Sequence, residues 1–246
     1  MVTFKLTLEY DGSAFNGWQV QLNAPRTVQG ELEAVLLKIF KKPLRIIGSG
    51  RTDTGVHARG QVAHFRVPTD MFPDELLRAM NNNLPRDVVV VRAEVAAASF
   101  HAQHSARGKQ YTYTVLNRPH PSALDRGRAY FFPRKLKMAL LRREAAVLVG
   151  KHDFTAFANV DPSRKGDAVR TLRRLDIRRS GDHVVFTVEA DGFLYKMVRN
   201  IVGTLLEIGC GRLPPGSAAR ILEARDRRAA GKAAGPEGLS LQRVDY

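Results

Sequence analysis

The opening residues constrain the fold of this chain more than any other stretch of it. Phe4, Leu6, Leu8 and Tyr10 alternate with Lys5, Thr7 and Glu9, which is the period-two pattern of a strand with one buried and one solvated face. Asp11-Gly12-Ser13 then ends the strand with turn residues. Beyond it the period lengthens. Val28, Leu32, Val35, Leu36, Ile39 and Phe40 recur at steps of three and four, which predicts a helix over 27–40 with Thr27 as its N-cap and Pro43 as its stop. Leu44–Ile47, bounded by Pro43 and Gly48, reads as a short strand, and Gln61–Val67 as another. A short helix near Asp74–Asn82 and a buried strand over Val88–Val91 follow.

This β-α-β-β-α-β order is that of a ferredoxin-like unit. The second half repeats the theme, with strands over Tyr111–Leu116, Leu172–Ile177 and Val184–Val188 and helices over Leu136–Val149, Val198–Ile208 and Ala218–Ala224. Asn117–Arg134 and Asn159–Asp167 read as loops, and Ala229–Gly235 as a turn before a last, tethered strand. The expectation is an α+β chain of two ferredoxin-like (RRM-like) halves, residues 1–105 and 106–246. Each half has a mainly antiparallel sheet flanked by helices. The two halves show no self-similarity in sequence.

Charge narrows the partner. Thirty-nine Lys and Arg against 24 Asp and Glu leave a net charge of +15, and such an excess favours a polyanion, whose condensed counterions are released on binding. The basic residues also bunch: Arg170, Arg173, Arg174, Arg178 and Arg179 fall within ten positions, and Arg220, Arg225, Arg227 and Arg228 form a second group. No segment has the unbroken apolar length of a membrane span. The start, Met1-Val2-Thr3-Phe4-Lys5, lacks the layout of a signal peptide. A lone cysteine, Cys210, excludes an internal disulfide and any multi-cysteine zinc site. A soluble, cytoplasmic protein that works without a cofactor is expected.

The ten residues Gly50-Arg-Thr-Asp-Thr-Gly-Val-His-Ala-Arg59 carry the chemistry. They place one carboxylate, Asp53, two residues after Arg51 in a Gly-flanked turn between two apolar runs, where a rigid scaffold can present a reactive group. An Asx-turn with a surface ion pair is the plainer account of the same residues. Four more segments stand in fixed order around it. They are Tyr10-Asp11-Gly12 with Phe15, Gly17, Trp18 and Gln19; Lys109, Tyr111 and Tyr113; Phe193-Leu-Tyr-Lys-Met-Val-Arg-Asn-Ile-Val-Gly203; and Gly238-Leu239 with Val244 and Tyr246.

Together these motifs resemble the TruA family of tRNA pseudouridine synthases, from residue 2 to residue 246. The resemblance implies an isomerase that converts uridine to pseudouridine at positions 38, 39 and 40 of the tRNA anticodon stem-loop. It implies a homodimer and a basic active-site cleft between the two halves. Asp53 would be the essential carboxylate, acting as nucleophile or base. Arg51 would form its ion pair, and Arg199 either a second ion pair or a phosphate contact. Tyr111 would stack on the unstacked uracil, and its hydroxyl could take part in proton removal at C5. His57 and Arg59 would stand on the substrate side. Thr54, Gln103, His104 and Ala234-Gly235-Pro236 depart from the family's usual residues without touching these positions.

No Walker loop, dinucleotide fingerprint or acidic metal cluster is present in the sequence. His101 and His104 invite a metal reading, but Phe100–Ala102 reads as extended and no cysteine or acidic pair lies close by, so no metal is expected. Trp18 and Phe15 read as anchors of core or loop. A non-catalytic RNA-binding protein of the same fold is the alternative that charge and architecture leave open.

Overall fold

In the computed structural model, which describes residues 1–160 and 166–246, the alternating start of the chain is strand β1 (Val2–Tyr10). Its inward side chains Phe4, Leu6 and Leu8 are fully buried. Helix α1 (Val28–Phe40) starts where the Thr27 side chain accepts the Gly30 N–H, and ends at Lys41, which turns left-handed. The helix thus stops two residues before Pro43, at a C-terminal residue of the left-handed type common there. Strands β2 (Ile47–Gly48) and β3 (His57–Val67), helix α2 (Pro73–Asn81) and strand β4 (Val88–Ala96) complete the β-α-β-β-α-β order.

The strands lie in the order β4-β1-β3, with β2 on the far side of β3 and every one of these pairs antiparallel. The strand expected over 44–47 shrinks to Ile47–Gly48, and the reason lies in α1. Gln29 donates to the Ile46 carbonyl (3.2 Å) and Glu33 accepts the Ile46 N–H (3.2 Å), so side chains of the helix satisfy backbone groups that a strand partner would otherwise take. Strand β4 runs on to Ala96 because β1 pairs with it along almost its whole length.

The second unit contains β5 (Gly108–Leu116), β6 (Tyr130–Phe131), α3 (Met138–Val147), β7 (Gly150–Asp153), β8 (Val169–Ser180), β9 (His183–Ala190), α4 (Met197–Gly209) and α5 (Ser217–Ala224). Its strands run β5-β9-β8-β7, antiparallel throughout, with β6 parallel to β5. Tyr113, Leu141, Phe186, Ile201 and Leu205 are fully buried and form its core. Strand β6 lies inside the stretch read as loop, where Asn117 donates to the Phe132 and Arg134 carbonyls (2.7 Å each) and holds the returning chain beside β5. The loop read over 159–167 falls partly outside the described residues.

Both units are α+β, with mainly antiparallel strand pairing and flanking helices. They comprise residues 1–107 with 240–246, and residues 108–239. The last strand, β10 (Leu239–Asp245), therefore delivers the chain's final seven residues to the first unit, where Ser240 and Leu241 pair in parallel with His57 and Ala58 of β3. That pairing, with Tyr10 of β1 opposite Ala58 on the other side, is why β3 begins at His57 rather than at Gln61.

Tyr246 completes the return by donating its hydroxyl to the Ala102 carbonyl (2.8 Å), with the Lys5 ammonium 5.0 Å over its ring. The Ala102 N–H in turn donates to Nδ1 of His64 (3.1 Å), a buried residue of β3 that also bonds the Ile47 backbone. Burial, reinforced by His101 and Arg66, pushes His64 down to about 4. The unfolded chain, with an ordinary imidazole near about 6.5, takes up a proton that the folded chain refuses. Stability is therefore full above that value and falls as the pH drops from it toward 4. Between pH 7.5 and 5.5, above the range where carboxylates titrate, the expected loss is about 1 kcal/mol. Urea midpoints across that interval measure it; a flat profile would show that His64 is not held neutral in the fold.

Candidate active site

The turn between β2 and β3 carries Arg51, exposed, and Asp53, half-buried. Beneath it lies a floor of buried polar side chains. Tyr10, at the end of β1, shares a hydrogen bond with the Thr52 hydroxyl (2.8 Å). Gln61 of β3 donates to the Gly50 carbonyl (3.0 Å) and accepts from the Ser49 hydroxyl (2.6 Å). Burial pushes the Tyr10 phenol up to about 12, so it stays protonated and can keep its bond at any working pH. Ser49, Thr52 and Gln61 are all buried. A floor whose members satisfy one another is stiff, because breaking any one bond strands a desolvated partner.

The segment after β1 forms the other wall. The Trp18 N–H donates to the Thr52 carbonyl (3.0 Å), and the Gly55 N–H to the Phe15 carbonyl (3.3 Å). Trp18 and Phe15 are themselves buried, and Arg26 lies 4.2 Å over the Phe15 ring while forking onto Asp87. His57 packs inward, its Nδ1 3.1 Å from the Gly12 N–H that donates to it and 3.2 Å from the Asp11 carboxylate. Arg59 is exposed on β3. The early motif residues are thus the mechanical seat of the Asp53 turn.

In the second unit, Tyr111 on β5 is 9% exposed and meets Phe193 edge-on, with ring centres 5.1 Å apart. Lys109, two residues earlier on the same strand, is pushed down to about 8 by burial. Tyr113 is fully buried and donates to the Gly235 carbonyl (2.7 Å). Arg199 lies in the first turn of α4, half-buried, and its Nε donates to the Ala234 carbonyl (2.8 Å) while the Ala234 N–H returns a bond to the Arg199 carbonyl (3.0 Å). Asn200, beside it, is a buried hub that donates to the Phe157 carbonyl (2.8 Å) and accepts from Arg227 (2.8 Å).

The segment 231–235 lies across α4 because Gly203, one turn after Arg199, has no side chain. A Cβ at that position would stand 1.9 Å from the Lys232 carbonyl oxygen and 3.0 Å from the Ala234 nitrogen. Gly203→Ala should therefore lift the segment and free the Arg199 guanidinium from its acceptor. We expect a loss of about 2–3 kcal/mol in stability and a kcat lowered about 10- to 100-fold. Melting and steady-state rates measure the two separately. A lower melting temperature with kcat unchanged would mean that Ala234 does not orient Arg199.

The sequence names the candidate side chains but not the floor beneath the turn. The signal was there in Gln61 and Ser49, polar residues flanking apolar runs, and in Tyr10 at the end of an apolar stripe. The histidine pair behaves differently from its extended reading. Residues 102–104 form a turn, and the His101 and His104 rings come within 4.1 Å, with His64 4.9 Å from His101. Among the described residues, no three His, Cys, Asp or Glu side chains are grouped to hold a metal ion, and no helix is long and apolar enough to cross a membrane.

The sequence of both units matches a known family. Residues 7–105 and 145–246 match the family described as tRNA pseudouridine synthase. The chain belongs to that family, whose members are isomerases. Along its whole length it is similar to proteins named tRNA pseudouridine synthase A. It is 43% identical over 247 residues to that of Bradyrhizobium sp., with 100% of both chains covered. It is 44% identical over 244 residues to that of Bacillus subtilis, with 98% of both covered. It is 45% identical over 235 residues to that of Halalkalibacterium halodurans, covering 95% of this chain and 89% of the other. Among solved structures, a chain of a Cbf5-Nop10-Gar1 complex aligns at a TM-score of 0.36 and 10% identity, covering 96% of this chain and 57% of that one. Asp53 and Arg199 fall inside the matched segments, whereas Tyr111 falls between them.

Proposed function

We propose that the chain isomerises uridine to pseudouridine at positions 38, 39 and 40 of the tRNA anticodon arm, with Asp53 as its essential carboxylate. The reaction breaks the bond from C1′ of the ribose to N1 of uracil and forms one from C1′ to C5. C5 gives up a proton and N1 gains one, so atoms and electrons balance without a cofactor. The observation that supports Asp53 most is its seat: a half-buried carboxylate on a turn fixed from below by Tyr10, Ser49 and Gln61. A group held in that way needs little reorganisation as the reaction proceeds.

Arg51 serves as the ion-pair partner of Asp53. Tyr111 offers its ring to the uracil, braced edge-on by Phe193, and its hydroxyl to the proton leaving C5. Arg199 supplies an ion pair or a phosphate contact, its guanidinium directed by Ala234. Arg59, exposed on β3, contacts the RNA, and His57 acts on the substrate side by holding the turn against Gly12. The target bases lie in a stem, so one must be unstacked at a cost of a few kcal/mol, which basic side chains offset through phosphate contacts. The protein works in the cytoplasm as a homodimer.

Unmodified tRNA transcripts, incubated with the purified protein without added metal or nucleotide and mapped base by base, test this reading. Pseudouridine at positions 38 to 40 is the expected result. Pseudouridine elsewhere would overturn the site assignment, and none at all would overturn the activity.

A further inference from the structure

Strand β8 carries a second basic feature that the chemistry above does not use. Strand β7 pairs with it only from Val169 to Leu172, so the rest of β8 borders an open groove of about 600 Å³ against the flank of α3. Four arginines line that groove, Arg142 from α3 and Arg173, Arg174 and Arg178 from β8, against a single acid, Asp176, over an apolar base of Ala146, Val149, Leu175 and Ile177. All four arginines are exposed.

The local structure presents them. The register of β8 against β9 slips between Leu172 and Arg174, and at such a bulge two consecutive residues can leave the alternating pattern. Arg173 and Arg174 are accordingly both exposed. Arg174 holds Asp176 through its Nε (2.6 Å), which neutralises the one acid. Arg142 donates its Nε to the Ile177 carbonyl at the strand edge (3.0 Å), which fixes that guanidinium over the groove.

We propose that this groove is a binding site for phosphodiester backbone of the tRNA, separate from the site that holds the reacting uridine. The proposal rests on the reading of the chain as a tRNA-modifying enzyme. Two strand spacings separate β8 from β5, which carries Tyr111, so the groove lies about 10 Å or more to the side of that residue. Edge charges also keep sheets from pairing with one another, but that task calls for neither a concave surface nor arginine on the adjoining helix. Arginine's planar fork suits phosphate oxygens, and the chain's net charge of +15 favours a polyanion over a neutral partner.

The test is the double variant Arg173→Gln, Arg178→Gln, which leaves the Arg174–Asp176 pair intact, compared with Arg45→Gln, Arg92→Gln, which removes the same charge from two exposed side chains of the first unit. The β8 variant should raise KM for tRNA about 10-fold and lower the salt slope of tRNA binding by about 2, with kcat at saturating tRNA retained. The control variant should change KM and slope by less than half as much. Wild-type KM and slope in the β8 variant would overturn the proposal while leaving the activity intact. Equal effects in both variants would overturn it too, as diffuse charge rather than a site. If the β8 variant keeps its tRNA parameters but loses affinity for polyglutamate, the groove takes an acidic protein instead. Salt-dependent binding of tRNA is readable without turnover, so it tests the groove even if the protein makes no pseudouridine.

Discussion

Asp53→Asn should abolish isomerisation, lowering kcat by about 10⁴-fold or more, equivalent to about 5.5 kcal/mol of transition-state stabilisation. The substitution keeps the shape of the side chain and removes its charge and basicity. The turn beneath it should not move, because Tyr10, Ser49 and Gln61 hold Thr52, Gly50 and one another without using the Asp53 carboxylate. Affinity for tRNA should be kept within about threefold or improve, since a negative charge facing phosphodiesters is removed. Release of tritium from C5 of labelled uridine in tRNA measures turnover, and filter binding measures affinity. Activity within tenfold of wild type would remove Asp53 from the mechanism. Loss of binding along with activity would make its role structural.

Gly12→Ala should have the second largest effect, although residue 12 carries no chemistry. A Cβ there would stand 2.0 Å from the Val56 carbonyl oxygen and 2.5 Å from its carbon. Both are backbone atoms and cannot rotate away. Val56 is tied to Asp53 by its N–H (3.1 Å), so displacing one displaces the other. A shift of about 1 Å in a reacting group can cost about 100-fold in rate, and overpacking of this kind costs about 2–3 kcal/mol in stability. We therefore expect kcat to fall at least about 100-fold at a temperature where the variant is still folded, with KM for tRNA little changed. Circular dichroism and single-turnover rates check both halves. A variant that loses stability but keeps its rate would show that the seat of Asp53 tolerates movement. Tyr10→Phe provides the contrast, because it deletes one hydroxyl from the floor without adding volume. Its expected cost is about 1–2 kcal/mol, the penalty for leaving Thr52 without its partner.

These two variants divide the candidate site by how it could be known. Asp53 and Arg51 stand out in sequence as a charged pair in a Gly-flanked turn between apolar runs, a pattern that an Asx-turn with a surface ion pair also gives, and the family's motifs are what single them out as site candidates. Tyr111 and Arg199 become legible through the motifs around them. Gly12 stands in the sequence as a turn residue after β1, and nothing local says that the Val56 backbone will press against it. Arg199 likewise reads as a charge at a helix start. Its acceptor, the Ala234 carbonyl, lies 35 positions away, and only the empty place at Gly203 lets the two meet.

The elements divide along the same physical line. Strand β1, helix α1 and strands β5 and β9 announce themselves because each carries its own hydrophobic period, and burying that face is what stabilises it. Thr27 caps α1 as expected because a cap acts within one turn. By itself, the sequence therefore determined the α+β class, the β-α-β-β-α-β order of the first unit, the basic character of the surface and the carboxylate on its turn. Tertiary structure decided what depends on distant partners. Strands β6 and β7 exist because β5 and β8 are there to pair with them. Leu44–Ile46 stay out of a strand because Gln29 and Glu33 take up the Ile46 backbone. Residues 240–246 join the first unit because β3 and Ala102 accept them. Local propensity reaches only a few residues along the chain, whereas the hydrogen bonds that seat Asp53 and Arg199 close loops of tens of residues, and only the fold brings their ends together.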